Sequence, residues 1–333
     1  TQLIARVADG ALTGTGAGSF DQISKLYLKL DGNVVGNSAG YSVGQATLTI
    51  TLGRGDLTIP AGNTGKKLEV LADIVQIGTN QPGTDNADIL VGLNGRMAIT
   101  ATGNGSNATV STANKTYNDS TGTAVILHKS VPQIVMVTPA SKLSASAVIH
   151  EAKITAVGGS IGIFRMAYVT TTSASVNLTN GFTKLVSCGG GCGGIGDGSQ
   201  LSATQALGTE LIAGVKTWNL TISSAQSHGK SLLSIASGAT AIVDFFVTVT
   251  QTANADTVST SLLGDTASTM TDNLTGGATA MFTLNNQGDF VWSDFRNTEV
   301  TSSGGLTSLQ WFNGYLVSGL GLTATTTAVT VGE

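Results

Sequence analysis

The sequence is short of charge. Only 11% of its 333 residues are Asp, Glu, Lys or Arg, against roughly a quarter in an average soluble protein. The net charge is −4 and the basic residues are scattered, so the basic stripe that nucleic-acid binding needs is missing. Cysteine is nearly absent, with two residues, Cys188 and Cys192, and no second pair to complete a four-ligand zinc site. Prolines number 4 and aromatics make up 5%. No apolar run approaches the roughly 18 residues of a membrane-spanning helix, and no lipid-attachment motif is present. Histidine is sparse too: His128, His150 and His228 stand far apart and fit no metal-ligand spacing.

What is present is hydroxyl, glycine and β-branched side chain. Glycine numbers 44, and 41% of residues are apolar, enough to build cores. Apolar residues alternate with polar ones, as in half-buried strands. Leu3, Ala5 and Val7 alternate, as do Leu26, Leu28 and Leu30, and Phe164, Met166 and Tyr168. Trp218, Leu220 and Ile222 form another face, and Val243, Phe245, Val247 and Val249 the strongest one. Asp31-Gly32-Asn33 reads as a hairpin turn. Short helices are expected only at Leu201–Leu207 and Ser259–Leu263. Many short strands cut by Gly and Asn turns imply an all-β chain of tandem immunoglobulin-like β-sandwich domains. The boundary falls near Lys129–Gln133. That gives an N-terminal sandwich over 1–130, its first strand missing and completed by a neighbour, a C-terminal sandwich over 131–320 and a strand-like tail over 321–333, the candidate donor strand.

Two ends of the sequence belong together. The tail Thr323-Ala-Thr-Thr-Thr-Ala-Val-Thr-Val331 reads as a strand without a hairpin partner, and Thr1–Val7 as a strand without a lead-in. A sandwich lacking a strand exposes an unpaired ladder and an apolar groove, which a strand from a neighbour can fill. Thr325, Thr327, Val329 and Val331 would line one face of the donor, with Leu3, Ala5 and Val7 marking the acceptor strand. The reverse assignment, with the N-terminal strand as donor, and a tail folded back as the last strand of its own domain are the alternatives. The start at Thr1 reads as a mature product whose leader has been removed.

The remaining signals are local. Three glycines between Cys188 and Cys192 let a small ring close, so a disulfide is expected, in an oxidising, extracellular compartment. Asn-x-Ser/Thr sequons occur at Asn104, Asn107, Asn114, Asn118, Asn177, Asn219 and Asn273, candidates for glycans that would keep a weakly charged surface soluble. Asp85, Asn86 and Asp88 lack the rest of a calcium loop, so no calcium and no cofactor is expected. His150-Glu151 reads as a pair at a strand edge. Gly14–Ser19 and Gly189–Gly198 lack the strand-to-helix setting of a phosphate loop. Asp289, Asp294 and Glu299 read as turn residues, and Trp292 and Trp311 as packing residues before carbohydrate platforms. No enzyme is expected.

Asp56-Leu-Thr-Ile-Pro-Ala-Gly-Asn-Thr-Gly-Lys-Lys-Leu-Glu-Val-Leu-Ala-Asp73 resembles a recurring segment of secreted, repetitive β-sandwich surface or pilus-like proteins of candidate-phyla-radiation (Patescibacteria-like) bacteria. Phe290-Val-Trp-Ser-Asp294 followed by Trp311-Phe-Asn-Gly-Tyr-Leu-Val317 resembles the end of such proteins. The resemblance implies a non-catalytic role at the cell surface. Combined with the tail, it leads to a structural subunit of an extracellular filament, a head-to-tail homopolymer built by donor-strand exchange, without a membrane span. A planar S-layer lattice protein and a monomeric carbohydrate-binding adhesin are the alternatives.

Overall fold

In the computed structural model the chain is all-β, with no helix among the described residues. The structure describes residues 2–8, 23–38, 47–52, 56–58, 62, 66–76, 88–93, 99–103, 105–110, 120–121, 125–137, 146–227, 229–251, 257–265, 270–271, 283–284, 287–288, 290–295, 311–320 and 327–330. It divides into two units, Thr1–His128 and Lys129–Glu333.

The first unit holds β1 (Gln2–Ala8), β2 (Ile23–Leu30), β3 (Asn33–Ser38), β4 (Thr47–Leu52), β5 (Leu68–Ile74), β6 (Asp88–Leu93), β7 (Ile99–Thr100), β8 (Ser120–Thr121) and β9 (Val125–Ile126). They make one nine-stranded sheet in the order β5-β2-β3-β4-β1-β6-β8, with β7 on β1 and β9 on β6. Leu26 and Leu28 are buried with Ile23, Ile50, Leu52 and Leu127, while Tyr27 alternates outward and donates its hydroxyl to Asp73. The β2–β3 turn puts Asp31 at φ 47° and Gly32 at φ 89°. Two positive φ values match the right-handed strand twist in a two-residue hairpin, which is why Asp-Gly sits there.

The second unit holds β10 (Val131–Val137), β11 (Ser146–Val157), β12 (Ile161–Thr172), β13 (Val176–Ser187), β14 (Thr209–Ile212), β15 (Val215–Thr221), β16 (Leu233–Ile235) and β17 (Thr240–Gln251). It continues with β18 (Thr257–Leu262), β19 (Met270–Thr271), β20 (Thr283–Leu284), β21 (Gln287–Gly288), β22 (Val291–Ser293), β23 (Trp311–Phe312) and β24 (Thr327–Thr330). One sheet runs β10-β11-β17-β13. The other is organised on β12, with β16 and then β15 along one edge and β22 and then β18 along the other. The two sheets share one core: Ile154, Leu185 and Val243 from the first, Ile163, Trp218 and Leu233 from the second. This is a β-sandwich.

Aromatic contacts fasten its centre. Tyr168 stacks on Phe245 at 4.4 Å, and Trp218 meets Phe245 edge-on at 5.7 Å. The indole Nε1 of Trp218 donates to Thr170 Oγ1 at 3.0 Å, so its polar atom is satisfied inside the core. Burying an indole of this kind is worth about 4–6 kcal/mol, from roughly 25 cal/mol per Å² over an aromatic's buried area.

Three expectations are corrected. Residues 201–207 form no helix, because their backbone is held against β13: Leu201 N–H donates to the Thr183 carbonyl and Gln205 N–H to that of Gly181. Residues 259–262 lie in β18, paired to β12 and β24. His150 is not an exposed edge residue: β17 pairs it through Phe245 and its side chain is fully buried. A register shift between Val148 and His150 accompanies a ring that is fully buried, edge-on to Tyr168 at 5.1 Å.

Two measurements check this core. A Cβ on Gly181 would lie 2.4 Å from the Trp218 ring. Gly181→Ala should therefore lower stability by about 1–3 kcal/mol, the usual cost of overpacking, read as a reduced denaturation midpoint with an unchanged slope. His150 has no hydrogen-bond partner for either nitrogen, and burial pushes its pKa down to about 4. An unfolded chain takes up that proton near pH 6.5 while the folded one resists it, so the contribution is full above pH 6.5 and is lost as pH falls toward 4. The span is worth about 3 kcal/mol. His150→Leu should reduce the loss of stability between pH 7 and pH 4.5 relative to the parent; equal losses would show that His150 does not titrate this way.

Candidate assembly site: the β18 edge and its C-terminal clasp

β18 is covered on both edges. Along one it pairs with β12, from Leu262 opposite Tyr168 to Val258 opposite Thr172. Along the other it takes β24, with Thr257 opposite Thr330, Val258 opposite Val329, Ser259 opposite Ala328 and Thr260 opposite Thr327. Val258, Thr260 and Leu262 are fully buried, so this ladder closes a core edge. The register sets Thr327 and Val329 opposite Thr260 and Val258. Thr325 and Val331, the other two expected donor positions, lie outside the described residues.

The tail therefore pairs within its own chain, the fold-back arrangement. The N-terminal strand is likewise flanked within its own unit. Leu3 lies opposite Ile50 on one side and Ile99 on the other, Ala5 opposite Leu48 and Leu93, and Val7 opposite Val91. Among the described strands no vacancy flanks β1.

The base of the tail is held by the two motifs singled out in the sequence. Phe290, Trp292, Trp311 and Phe312 are all buried. Trp292 packs on Phe312 at 5.3 Å, and its Nε1 donates to the Asn313 carbonyl at 3.0 Å. Asn313 Nδ2 in turn donates to Asp265 Oδ2 at 2.7 Å, just beyond β18. Trp311 meets Phe164 of β12 edge-on at 5.5 Å. Phe295, at φ 52°, lies over Gly162, where a Cβ would come within 2.6 Å of the ring. Asp294 is fully buried and accepts the Lys129 N–H at 2.9 Å, while Lys129 Nζ donates to the Phe295 carbonyl. Ser318 then accepts the Ile134 N–H at 2.9 Å on β10. The motifs thus form a clasp that fixes the chain up to Leu320. Both tryptophans are core residues, and Asp294 is a structural acceptor. Asp289 and Glu299 lie outside the described residues.

The disulfide closes another edge. Cys188 and Cys192 are bonded, with Cα atoms 5.8 Å apart. Gly189 and Gly190 take φ of 55° and 83°, the left-handed turn for which glycine is suited. Cys188 N–H is held by Asp197 Oδ1 at 2.9 Å. The turn sends the following segment back along β13, where Ser199 and Gln205 carbonyls accept from Leu185 and Gly181. An edge strand that would template aggregation is thereby covered.

Of the sequons, Asn107 and Asn177 are exposed. Asn219 is half-buried on β15, with its Oδ1 buried and without a partner. Asn104, Asn114, Asn118 and Asn273 lie outside the described residues, as do Asp85, Asn86 and His228. Among the described residues no three His, Cys, Asp or Glu side chains gather as a metal site, and no helix is long and apolar enough to cross a membrane.

No family model and no curated protein matches the chain. Solved structures give distant matches. The C-terminal domain of the Streptococcus agalactiae AgI/II polypeptide BspA is 10% identical over 79% of each chain, with a TM-score of 0.21. A mutant of the BspA C-terminal domain is 9% identical over the same shares, also at 0.21. A structure containing manganese lipoxygenase of Gaeumannomyces graminis and part of zonadhesin of Komagataella pastoris is 11% identical, covering 79% of this chain and 76% of that one, at 0.16. Superposition this poor carries no argument; the all-β architecture rests on the strands and ladders described above.

Proposed function

We propose that the chain is a structural, non-catalytic subunit of an extracellular bacterial filament, assembled head-to-tail when β24 leaves its own β18 edge and pairs with that of a neighbour. The observation that supports this reading is the β18–β24 ladder. It closes a core edge with a four-residue strand that follows a clasp ending at Leu320. The same ladder serves equally well between chains, because exchange of an identical element makes no new interface. Donor and acceptor are different surfaces, so the contact is head-to-tail and need not close on itself. The disulfide supports an oxidising compartment. Glycans on exposed sequons such as Asn107 and Asn177, or on Ser and Thr, would supply the solvation that charge does not.

A monomeric surface module is the competing reading, favoured by the seating of β24 on its own chain. Short connections create effective concentrations near the millimolar range, so a dilute subunit should stay folded back. A planar lattice would use other contacts and leave β24 in place.

The test compares the full chain with one ended after Leu320, by size exclusion and electron microscopy across protein concentration. Fibres from the full chain, and only single particles from a truncated chain with β-rich circular dichroism, are the expected result. Val329→Pro, which removes one ladder donor, should behave like the truncation and covers the case in which the shortened chain misfolds. Concentration-independent monomers of the full chain would sink the filament reading. Two-dimensional sheets that survive truncation would point to the lattice instead.

A further inference from the structure

The two sheets of the second unit treat their outer faces differently. On the β12 sheet, Phe164 meets Trp311 and Gly162 lies under Phe295, so the clasp covers that side. The outer face of the β10-β11-β17-β13 sheet keeps apolar side chains in the open. Val135 is 55% exposed and Val157 43%, and Val131 and Val186 are exposed with them. Val131 and Val157 are directly opposed in the β10–β11 ladder, with Val135 four residues further along β10. Phe182 and Phe246, opposed in β13 and β17, stack at 5.2 Å on the same face, half-buried. The solvent side of a sandwich strand is ordinarily polar. A contiguous apolar face instead marks a contact surface.

We propose that this face docks against the same face of a second copy of the chain, sheet upon sheet. Its area suits such a contact. β11, β13 and β17 have twelve residues each and β10 has seven. At ~4.8 Å between strands and ~3.3 Å per residue the face covers about 700 Å², close to the roughly 800 Å² per partner of a stable interface. Face-to-face packing of two β-sheets is also how each sandwich buries its own apolar rows. The contact involves neither β18 nor β24, so it does not depend on strand exchange. Within the proposed filament it would join one filament to the next.

The charges of the face fit a copy of itself. They are two acids, Glu151 and Asp244, and two lysines, Lys153 and Lys184, so two such faces carry no net repulsion. The ladders set Asp244 of β17 opposite Glu151 of β11 on one side and opposite Lys184 of β13 on the other. A contact between identical patches needs residue i to meet residue j and j to meet i. A two-fold axis along β17 does this, laying the Glu151 position of each copy over the Lys184 position of the other. Lys184 Nζ lies over the Phe246 ring, 5.7 Å from its centroid, with no ion pair among the described residues. The two Asp244 side chains then meet near the axis. Asp244 is 8% exposed and its Oδ1 has no hydrogen-bond partner. Burial and then Glu151 push its carboxyl up to about 6, against Lys184, and two such acids can share a proton.

The experiment mixes isotope-labelled and unlabelled full chains, treats them with a lysine-reactive crosslinker across protein concentration, and maps the products by mass spectrometry. The expected result is mixed-isotope crosslinks joining Lys153 or Lys184 of one copy to Lys153 or Lys184 of another. Val135→Glu combined with Val157→Glu replaces exposed side chains, so the fold should persist. The concentration at which those crosslinks appear should rise at least about tenfold, because each new carboxylate loses water in the contact. Val329→Pro should leave the crosslinks in place, so loss of fibres and loss of this contact are read separately. Mixed-isotope crosslinks that avoid Lys153 and Lys184 would put the association elsewhere and overturn the proposal. Crosslinks from these lysines confined to one isotope, showing that the chain covers the face itself, or no mixed crosslinks at all, would overturn it too. The map of the parent protein needs no variant, so a variant that fails to fold does not weaken it.

Discussion

Every strand edge in a β-sandwich must be paired, covered or made unattractive to other strands. This constraint presses hard on a chain with 11% charged residues, which has few lysines to spare as edge guards. The second unit meets it with a different device at each edge. The segment after the Cys188–Cys192 ring lies along β13 and occupies its backbone groups. Ser318 reaches the free side of β10 at Ile134. β24 closes β18. Among the described strands β14 pairs on one side only, but it is four residues long and irregular between Glu210 and Ile212, and both shortness and a bulge discourage pairing. Clasp, ring and tail are three answers to one problem.

The centre of the sandwich was legible in the sequence because alternation survives in long strands. Val243, Phe245 and Val247 read as one face and are one buried face. The Asp31-Gly32 turn was legible because its positive φ values suit few other residues. The two cysteines were legible because little else can close so short a ring. Trp292 and Trp311 read as packing residues and are buried ones.

What escaped was pairing. A Thr-rich segment has strand propensity but no address, so nothing in Thr327–Thr330 names β18 as its partner. Residues 201–207 carry apolar side chains at spacings a short helix tolerates, but their conformation is set by hydrogen bonds to a strand distant in sequence. His150 was misplaced for a related reason: an irregular register shifts side chains between faces, and one lies beside it. The Glu151–Asp244–Lys184 row was invisible for the same cause as the β18 ladder, since three strands must be in register before it exists.

Fold-back and exchange of β24 share the same ladder, so hydrogen bonds and buried area do not decide between them. The difference lies outside the ladder, in the connection from Leu320 to Thr327 and in the entropy of joining two chains. Folding back gains the high local concentration of a tethered strand. Exchange gains wherever the connection is strained in the fold-back path and relaxed when it reaches a neighbour. The clasp makes this comparison sharp. Trp292, Asn313 and Ser318 hold the tail's base through buried rings and short hydrogen bonds, so the base does not yield to relieve such strain. In the filament we propose, the choice between a closed monomer and a polymer therefore turns on tethering and chain entropy, and not on the core whose edge β24 serves.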